Sequence, residues 1–191
     1  MQPLPPPGDS KCFLVFFGAE LVAQPSATAS GTMQELALRA QAIAGVITSA
    51  DTAAIIDRPM RLIDVAGEYN VGVAVVLRRP VNGVAPPDAL RHSAITEIYY
   101  VLEGRGVMVT GGAIEGPRTL APDGVIVRQL VGPSERGTGI RGGEARMLGP
   151  GDVIVVPPNT PHGFSRLDTP EVRYLVFRID PRRVLELPEA R

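Results

Sequence analysis

The amino-acid sequence predicts an all-β protein with a single barrel domain. Its 191 residues correspond to one domain with extensions, and a hydrophobic content of 45% is sufficient to fill one core. Glycine and proline are abundant, at 21 and 19 residues, which is typical of many short strands joined by tight turns. No strong internal repeat is present, so the sequence favours one barrel over two barrels in tandem.

The first 31 residues are interpreted as an extension that precedes the domain. Lys11 is followed by an apolar run, 12–19, and later by the small residues 27–29, which together resemble a signal peptide with its cleavage site. The proline-rich start, 1–7, and the charge of Glu20 argue against a signal peptide. An apolar strand or a disordered extension explains the same residues. A cytoplasmic location is therefore favoured, and export to the periplasm stays open.

Two patterns typical of short amphipathic helices follow this extension. The first begins with a capping box, Thr32–Glu35, and continues with apolar residues at helical spacing until Gly45. A second capping box, Thr48–Asp51, predicts another helix that runs through residues 55–56 and ends before Pro59. Both helices are expected to pack on the outside of the barrel or against a second copy of the chain. We therefore predict a homodimer.

The barrel is assigned to residues 59–182, after a helical segment at 32–58, and residues 183–191 are assigned to a C-terminal tail. Apolar runs bounded by turn residues predict seven strands in the barrel. These candidate strands span 61–66, 71–78, 97–102, 106–110, 125–131, 152–156 and 171–179.

The stretch 105–150 is unusually rich in glycine and arginine. It could form a lid over the barrel mouth, in which an arginine binds a substrate carboxylate. Extra hairpins with solvated arginines are the more ordinary content of such an insertion, and we favour hairpins. The arginines in question are Arg118, Arg128, Arg136, Arg141 and Arg146.

Composition argues against several classes of partner. A net charge of -1 and a pI near 6.1 provide no basic surface for nucleic acid, and the absence of Trp leaves few stacking platforms. Cys12 is the only cysteine, so neither an internal disulfide nor a thiolate metal site is available. No apolar run reaches the length that spans a membrane. The expected partner is a small molecule, with no nucleic acid and no membrane.

Only two histidines occur in the chain, and each lies in a short segment suited to metal binding. His92 precedes Glu97 and an apolar run, and His162 follows a strand that ends at a proline-bounded bend. Neutral imidazole and carboxylate bind first-row transition metals without thiolate, and two histidines with one carboxylate leave coordination positions open. Such a site suits Fe(II), and Mn, Ni, Zn or Cu could also occupy it. Strand alternation places Tyr99 on the same side as Glu97.

These two segments resemble the motifs of the cupin superfamily. The first motif ends with histidine, three or four residues, glutamate, six residues and glycine, which His92, Glu97 and Gly104 match. The second motif contains glycine, five residues, Pro-x-Gly, two residues and histidine, and Gly151 and the segment 157–162 match it. The resemblance covers roughly residues 60–180. It implies a double-stranded β-helix, or jelly-roll, barrel with one divalent transition metal held by the residues of these motifs.

The chain also departs from the cupin pattern at four points. Leu90 occupies the position of the first histidine, and the glycine that opens the first motif is absent. Asn159 replaces the glycine of the second motif, and Arg166 lies where the family often has asparagine. The remaining ligand set that the resemblance implies is His92, Glu97 and His162.

Two classes of function remain open, and fold alone does not decide between them. One is a metal-dependent enzyme, an oxygenase, isomerase or lyase that acts on a small polar organic molecule. In such an enzyme Tyr99 is the candidate catalytic residue. It could act as a general acid or base, serve as a fourth metal ligand, or only pack against its neighbours. The other is a binding module without turnover, or a degenerate barrel whose histidines only form hydrogen bonds or act as acid and base. We favour the enzyme.

Overall fold

A computed structural model describes residues 40–48, 50–85 and 88–186. In these residues the all-β prediction is confirmed, since strands dominate and only one short α-helix, α1 (Ala40–Gly45), and one π-helical segment (Val127–Val131) occur. None of the helices in this part of the chain is long and apolar enough to cross a membrane. The strands are β1 (Ile55–Val65), β2 (Tyr69–Arg78), β3 (Ala89–His92), β4 (Thr96–Glu103), β5 (Gly106–Thr110), β6 (Ala113–Glu115), β7 (Arg118–Thr119), β8 (Ser134–Gly137), β9 (Gly139–Arg141), β10 (Glu144–Leu148), β11 (Val153–Val156), β12 (His162–Leu167) and β13 (Val172–Asp180).

Two antiparallel sheets form the domain. The five-stranded sheet has the order β1-β2-β13-β4-β11, and the six-stranded sheet has the order β10-β5-β12-β3-β8-β7. Successive strands of the chain often lie in different sheets, as in a jelly roll, and this agrees with the predicted barrel. A separate pair, β6 with β9, forms a two-stranded antiparallel sheet.

The main core lies between the two sheets. Side chains alternate along each strand, so Tyr99 and Val101 of β4 point inward while Tyr100 points outward. The inward residues of both sheets form one buried cluster with Met108 and Phe164. Burial of such apolar side chains is the largest favourable contribution to folding, at about 1.5–3 kcal/mol for each large residue.

A second cluster lies on the outer face of the five-stranded sheet. There Val73, Val75 and Leu77 of β2 are buried beneath residues 43–47 of α1 and the turn that follows it. Arg173 of β13 also donates from Nη1 to the carbonyl of α1 at Ala44, over 3.4 Å. The first predicted helix thus packs on the outside of the barrel and ends at Gly45, as expected, while its predicted start lies outside the described residues.

The second predicted helix is wrong. Thr48 N–H donates to Asp51 Oδ2 over 2.9 Å, as in a capping box, but Asp51 N–H donates to the Thr48 carbonyl over 3.1 Å and so closes a turn. Ile55 and Ile56 then enter β1 and pair with β2. Branching at Cβ favours a strand for these residues, and burial of Ile56 in the outer cluster decides the outcome.

The strand expected at 125–131 is also wrong, because residues there form the π-helical segment and bury Val127, Leu130 and Val131 along one side. The other six candidates overlap β1, β2, β4, β5, β11 and β13. The 105–150 stretch folds into short paired strands, as the hairpin interpretation predicts. Of its arginines only Arg136 is partly buried, and Arg118, Arg128, Arg141 and Arg146 are exposed.

Candidate metal centre

Three strands bring the predicted ligands together between the sheets. His92 ends β3, Glu97 lies near the start of β4, and His162 begins β12. All three side chains are 2% exposed, and one ligand atom from each lies within 4.8 Å of the others. The structure therefore places together the three residues that the motifs selected.

The bend before His162 is tied to the end of β3. The N–H of Asn159 donates to the carbonyl of His92 over 2.6 Å, and His162 pairs with Leu90 across β3 and β12. Asn159 has a φ of 63°, in the left-handed region that glycine and asparagine tolerate best. This conformation explains why asparagine can replace the motif glycine here.

The glycine that ends the first motif has a steric role. Gly104 has a φ of 79°, and a Cβ at this position would lie 2.0 Å from the carbonyl oxygen of Glu171. The chain therefore turns sharply after β4 and returns as β5, which can then pair with β12.

Both imidazole rings are oriented by hydrogen bonds at Nδ1. His92 Nδ1 lies 2.8 Å from the hydroxyl of Ser134, and that hydroxyl donates to the carbonyl of Gly132 over 2.8 Å. His162 Nδ1 lies 2.9 Å from the carbonyl of Thr160, which can only accept. Each Nδ1 must therefore donate a proton, so Nε2 of each neutral ring carries a lone pair.

These two Nε2 atoms converge on one oxygen. His92 Nε2 lies 3.3 Å and His162 Nε2 lies 3.2 Å from Oε2 of Glu97. Neither nitrogen has a hydrogen-bond partner among the described residues, because the contacts do not meet hydrogen-bond geometry. Buried polar atoms are rarely left without a partner. The three side chains are therefore a candidate set of metal ligands.

Glu97 is held at both oxygens by other residues. Arg178 donates from Nε to Oε1 over 3.0 Å, and the Tyr99 hydroxyl donates to Oε2 over 2.7 Å. Burial raises the pKa of Glu97, but the Arg178 guanidinium opposes this effect, and the pKa lies well below its usual range. Arg178 is paired in turn with Asp57 of β1. The carboxylate is therefore ionised and fixed in position.

Tyr99 lies on the same side of β4 as Glu97, as strand alternation predicts. Its ring is buried and stacks on Tyr174 with 4.6 Å between centroids. Burial and the charge of Glu97 raise the pKa of Tyr99 well above its usual value. The side chain therefore stays a phenol that donates to Glu97, which argues against a phenolate ligand.

A cavity of about 90 Å³ reaches Glu97 and Tyr99 from the space between the sheets. Leu90, in the position of the family's first histidine, lines its wall and provides no donor atom. Arg166 is exposed and paired with Asp168, so it takes no part in the site.

Sequence reasoning missed the charged residues around the ligands. Arg78 and Arg178 are buried and line the cavity with Asp57 and Asp88. The sequence could have indicated that Arg178 is buried, because strand alternation in the predicted strand 171–179 places it on the same face as Tyr174 and Val176. Ser134, which orients His92, has no comparable signal because its strand was not predicted.

Comparisons with known proteins agree with this architecture. The family model described as Cupin matches residues 67–190. A comparison with curated proteins finds no match.

Solved structures resemble the chain more distantly. A protein of Bacillus halodurans is 12% identical, with a TM-score of 0.40, over 65% of this chain and 69% of that one. An oxalate oxidase is 18% identical, with a TM-score of 0.41, over 68% of this chain and 52% of that one. The Cupin_2 domain of an XRE family transcriptional regulator from Enterobacter cloacae is 15% identical, with a TM-score of 0.42, over 68% of this chain and 99% of that domain. Likenesses at this level transfer no activity.

Proposed function

Because this chain belongs to the cupin family, we propose that it is a metal-dependent protein in which His92, Glu97 and His162 hold one divalent transition metal. A small polar organic molecule binds in the cavity beside these residues. The proposal includes turnover of that molecule by an oxygenase, isomerase or lyase reaction.

The observation that carries the proposal is the convergence of two unpartnered Nε2 atoms on one carboxylate oxygen. With metal–ligand bonds of about 2.1 Å, donor atoms lie about 3.0 Å apart at right angles and about 3.4 Å apart at a tetrahedral angle. The separations of 3.3 and 3.2 Å between Nε2 and Oε2 fall between these limits. A proton on one imidazole would satisfy one nitrogen, whereas a metal satisfies both.

The donor set limits the coordination. Oε1 of Glu97 is engaged by Arg178, so the carboxylate offers one oxygen, and the protein supplies three donor atoms. Leu90 supplies none. Two imidazoles and a carboxylate suit Fe, Mn, Ni, Zn or Cu, and an octahedral metal keeps three positions for water or substrate. Such a metal, when bound, polarises a coordinated oxygen or exchanges electrons with it.

The surrounding residues position the donors. Ser134 and the Thr160 carbonyl orient the two imidazoles, and Tyr99 and Arg178 fix the carboxylate. Such outer contacts increase ligand basicity and hold the rings in place. Tyr99 is therefore a positioning residue in this proposal, since its only hydrogen bond among the described residues goes to Glu97.

A second candidate is a binding module without turnover. It is favoured by the engagement of the ionisable side chains nearest the ligands, because Tyr99 and Arg178 both bind Glu97 and neither is available as an acid or base. In that case the metal itself, or the molecule it binds, would be the cargo.

Metal analysis tests the first part. Protein purified without chelators and reconstituted with Fe, Mn, Ni, Cu or Zn should bind one ion per chain. His162→Ala and Glu97→Gln should lose the ion, while Glu103→Gln, an exposed carboxylate on the same strand, should retain it. A stoichiometry near zero with every metal would refute the proposal.

A spectroscopic probe tests the enzyme candidate, which needs an open position on the metal. With Fe(II) bound under anaerobic conditions, nitric oxide should change the spectrum of the wild-type protein and of Glu103→Gln. A metal that is bound but ignores nitric oxide has no open position, and the enzyme proposal would then have to be abandoned in favour of the binding module.

A further inference from the structure

A second charged group lies in the same cavity and has no part in holding the metal. Asp88 forms ion pairs with two arginines, through Oδ2 to Arg78 Nη1 at 2.7 Å and through Oδ1 to Arg136 Nε at 3.1 Å. Arg78 and Asp88 are buried, with exposed fractions of 4% and 7%. Two guanidinium groups thus share one carboxylate, which leaves one positive charge in excess.

These arginines keep donor atoms that no described residue uses. Arg78 donates from Nε to the Tyr174 hydroxyl and from Nη1 to Asp88, so its Nη2 makes no hydrogen bond in the described part of the chain. Arg136 Nε lies 3.1 Å from Asp88 Oδ1, and the Arg136 side chain is 36% exposed. Arg178 differs, because all three of its nitrogens bind Glu97 or Asp57.

The charges around the cavity balance only when no metal is bound. The lining contains three arginines and three carboxylates, so their formal charges cancel, and a divalent metal adds two positive charges. A low-dielectric space with this excess favours an anionic ligand. The charged lining residues are Asp57, Arg78, Asp88, Glu97, Arg136 and Arg178.

The rest of the lining limits the kind of anion. Leu90, Leu120, Ile126, Leu130 and Val131 form an apolar wall, and the volume of about 90 Å³ admits only a small molecule. An apolar wall beside guanidinium donors fits an organic acid better than a fully polar ion.

We propose that Arg78 and Arg136 form a carboxylate-binding subsite for a small organic acid that extends toward the metal ligands. Guanidinium groups bind carboxylates with planar, paired hydrogen bonds, and Arg136 is the group that reaches solvent. This proposal rests on the proposed function in one respect, because the bound metal supplies part of the positive charge. The two arginines and the apolar wall are present whether or not a metal is bound.

Calorimetric titration tests the subsite. Straight-chain carboxylates from acetate to hexanoate are titrated into the metal-reconstituted protein, and their neutral amides serve as matched ligands. At least one carboxylate should bind, and its amide should bind about tenfold to a hundredfold more weakly, because a charge-assisted hydrogen bond contributes about 1.5–3 kcal/mol.

Variants on neighbouring strands provide the controls. Arg136→Gln should weaken carboxylate binding about tenfold or more, and Arg136→Lys, which keeps the charge, should fall between Arg136→Gln and wild type. Arg118→Gln should bind like wild type, because Arg118 pairs with Arg136 in the β7–β8 register but is exposed and does not line the cavity. Circular dichroism of each variant checks folding.

Metal content measured on the same samples separates the two proposals. If the metal is absent but carboxylates still bind in a manner that depends on Arg136, the proposed function fails and the subsite stands. If the metal is present and no carboxylate binds, or the amides bind equally well, or Arg136→Gln behaves like wild type, the subsite is overturned.

Discussion

Arg178 lies directly opposite Glu97 across β13 and β4, and its Nε donates to Oε1 of Glu97 over 3.0 Å. The same guanidinium pairs with Asp57 through both Nη atoms. One buried cation therefore bridges two carboxylates, of which only Glu97 faces the histidines. Its position also leaves a single oxygen of Glu97 for a metal.

Replacement of Arg178 should strongly destabilise the protein. In Arg178→Leu the buried Glu97 and the partly buried Asp57 lose their counter-ion, and breaking a buried pair in this way costs about 3–5 kcal/mol of unfolding free energy. Urea denaturation measures the loss. Arg183→Leu is the matched control, since Arg183 is 47% exposed in its ion pair with Asp64 and such pairs contribute at most about 1 kcal/mol. Equal losses in the two variants would contradict the role given to Arg178.

Removal of the Ser134 hydroxyl should weaken metal binding without removing a ligand. Ser134→Ala leaves His92 Nδ1 without its acceptor, and the loss of such an outer contact lowers metal affinity about 10–100-fold. Competition with a chromophoric chelator measures the affinity. Ser93→Ala provides the control, because Ser93 is exposed and its hydroxyl donates to the Pro133 carbonyl. If both variants bind metal as tightly as wild type, Ser134 does not orient His92.

The backbone at Asn159 should tolerate glycine but not a branched residue. Asn159→Gly should retain stability within about 1 kcal/mol, whereas Asn159→Val should lose about 1–2 kcal/mol because its φ of 63° is left-handed. Asn82→Val is the control, since Asn82 has a φ of 51° in a distant turn. Both valine variants should be less stable by thermal unfolding, but only Asn159→Val should also bind metal more weakly.

Tyr174 should ionise late in an alkaline titration. Burial, opposed by Arg78, raises the pKa of Tyr174 to about 12. Because the folded-state pKa is raised, the stabilisation is fully present below the ordinary value of about 10 and is lost as the pH rises through about 12. Phenolate absorbance of wild type and Tyr174→Phe should therefore differ only near and above pH 12. A difference that develops near pH 10 would contradict the burial of this phenol.

The homodimer stays a prediction, and a different surface now supports it. Residues 43–47 pack on the chain's own sheet and need no second copy to cover them. Exposed apolar side chains instead lie on the outer face of β4 and the edge strand β11, with Tyr100 at 41%, Val153 at 60% and Val155 at 55% exposure. Such a patch on an edge strand favours pairing with another copy.

Sedimentation should show a dimer at micromolar concentration, and Val155→Lys should shift it toward monomer. Val125→Lys, at an exposed site away from this sheet, should not. A wild-type monomer would contradict the prediction.

The proximity of the three candidate ligands could be predicted because their pattern is local. The spacing from His92 to Glu97 and from Pro157 to His162 follows from one turn and one strand in each case, and strand alternation placed Tyr99 correctly. Local patterns also explain the errors. The residues of the expected capping box, Thr48 and Asp51, close a turn instead, and burial of Ile56 in the outer cluster favours a strand for the residues that follow.

The charged surroundings of the ligands depend on pairings between distant segments. Arg178 meets Glu97 only through the β13–β4 register, and Asp57 meets Arg178 only because β1 and β13 both flank β2. Ser134 likewise reaches His92 through β8, a short strand without a clear apolar pattern. Such contacts are set by the fold as a whole, and no spacing along the chain encodes them.

The position of Asp57 on β1 links the interior of the barrel to its periphery. β1 is the edge of its sheet and pairs only with β2, and edge strands open by local unfolding more readily than central ones. Each opening withdraws Asp57 from Arg178 and leaves the guanidinium to Glu97 alone. Amide exchange in β1 should therefore measure how often Asp57 leaves Arg178, although β1 lies three strands from β4, the strand that carries Glu97.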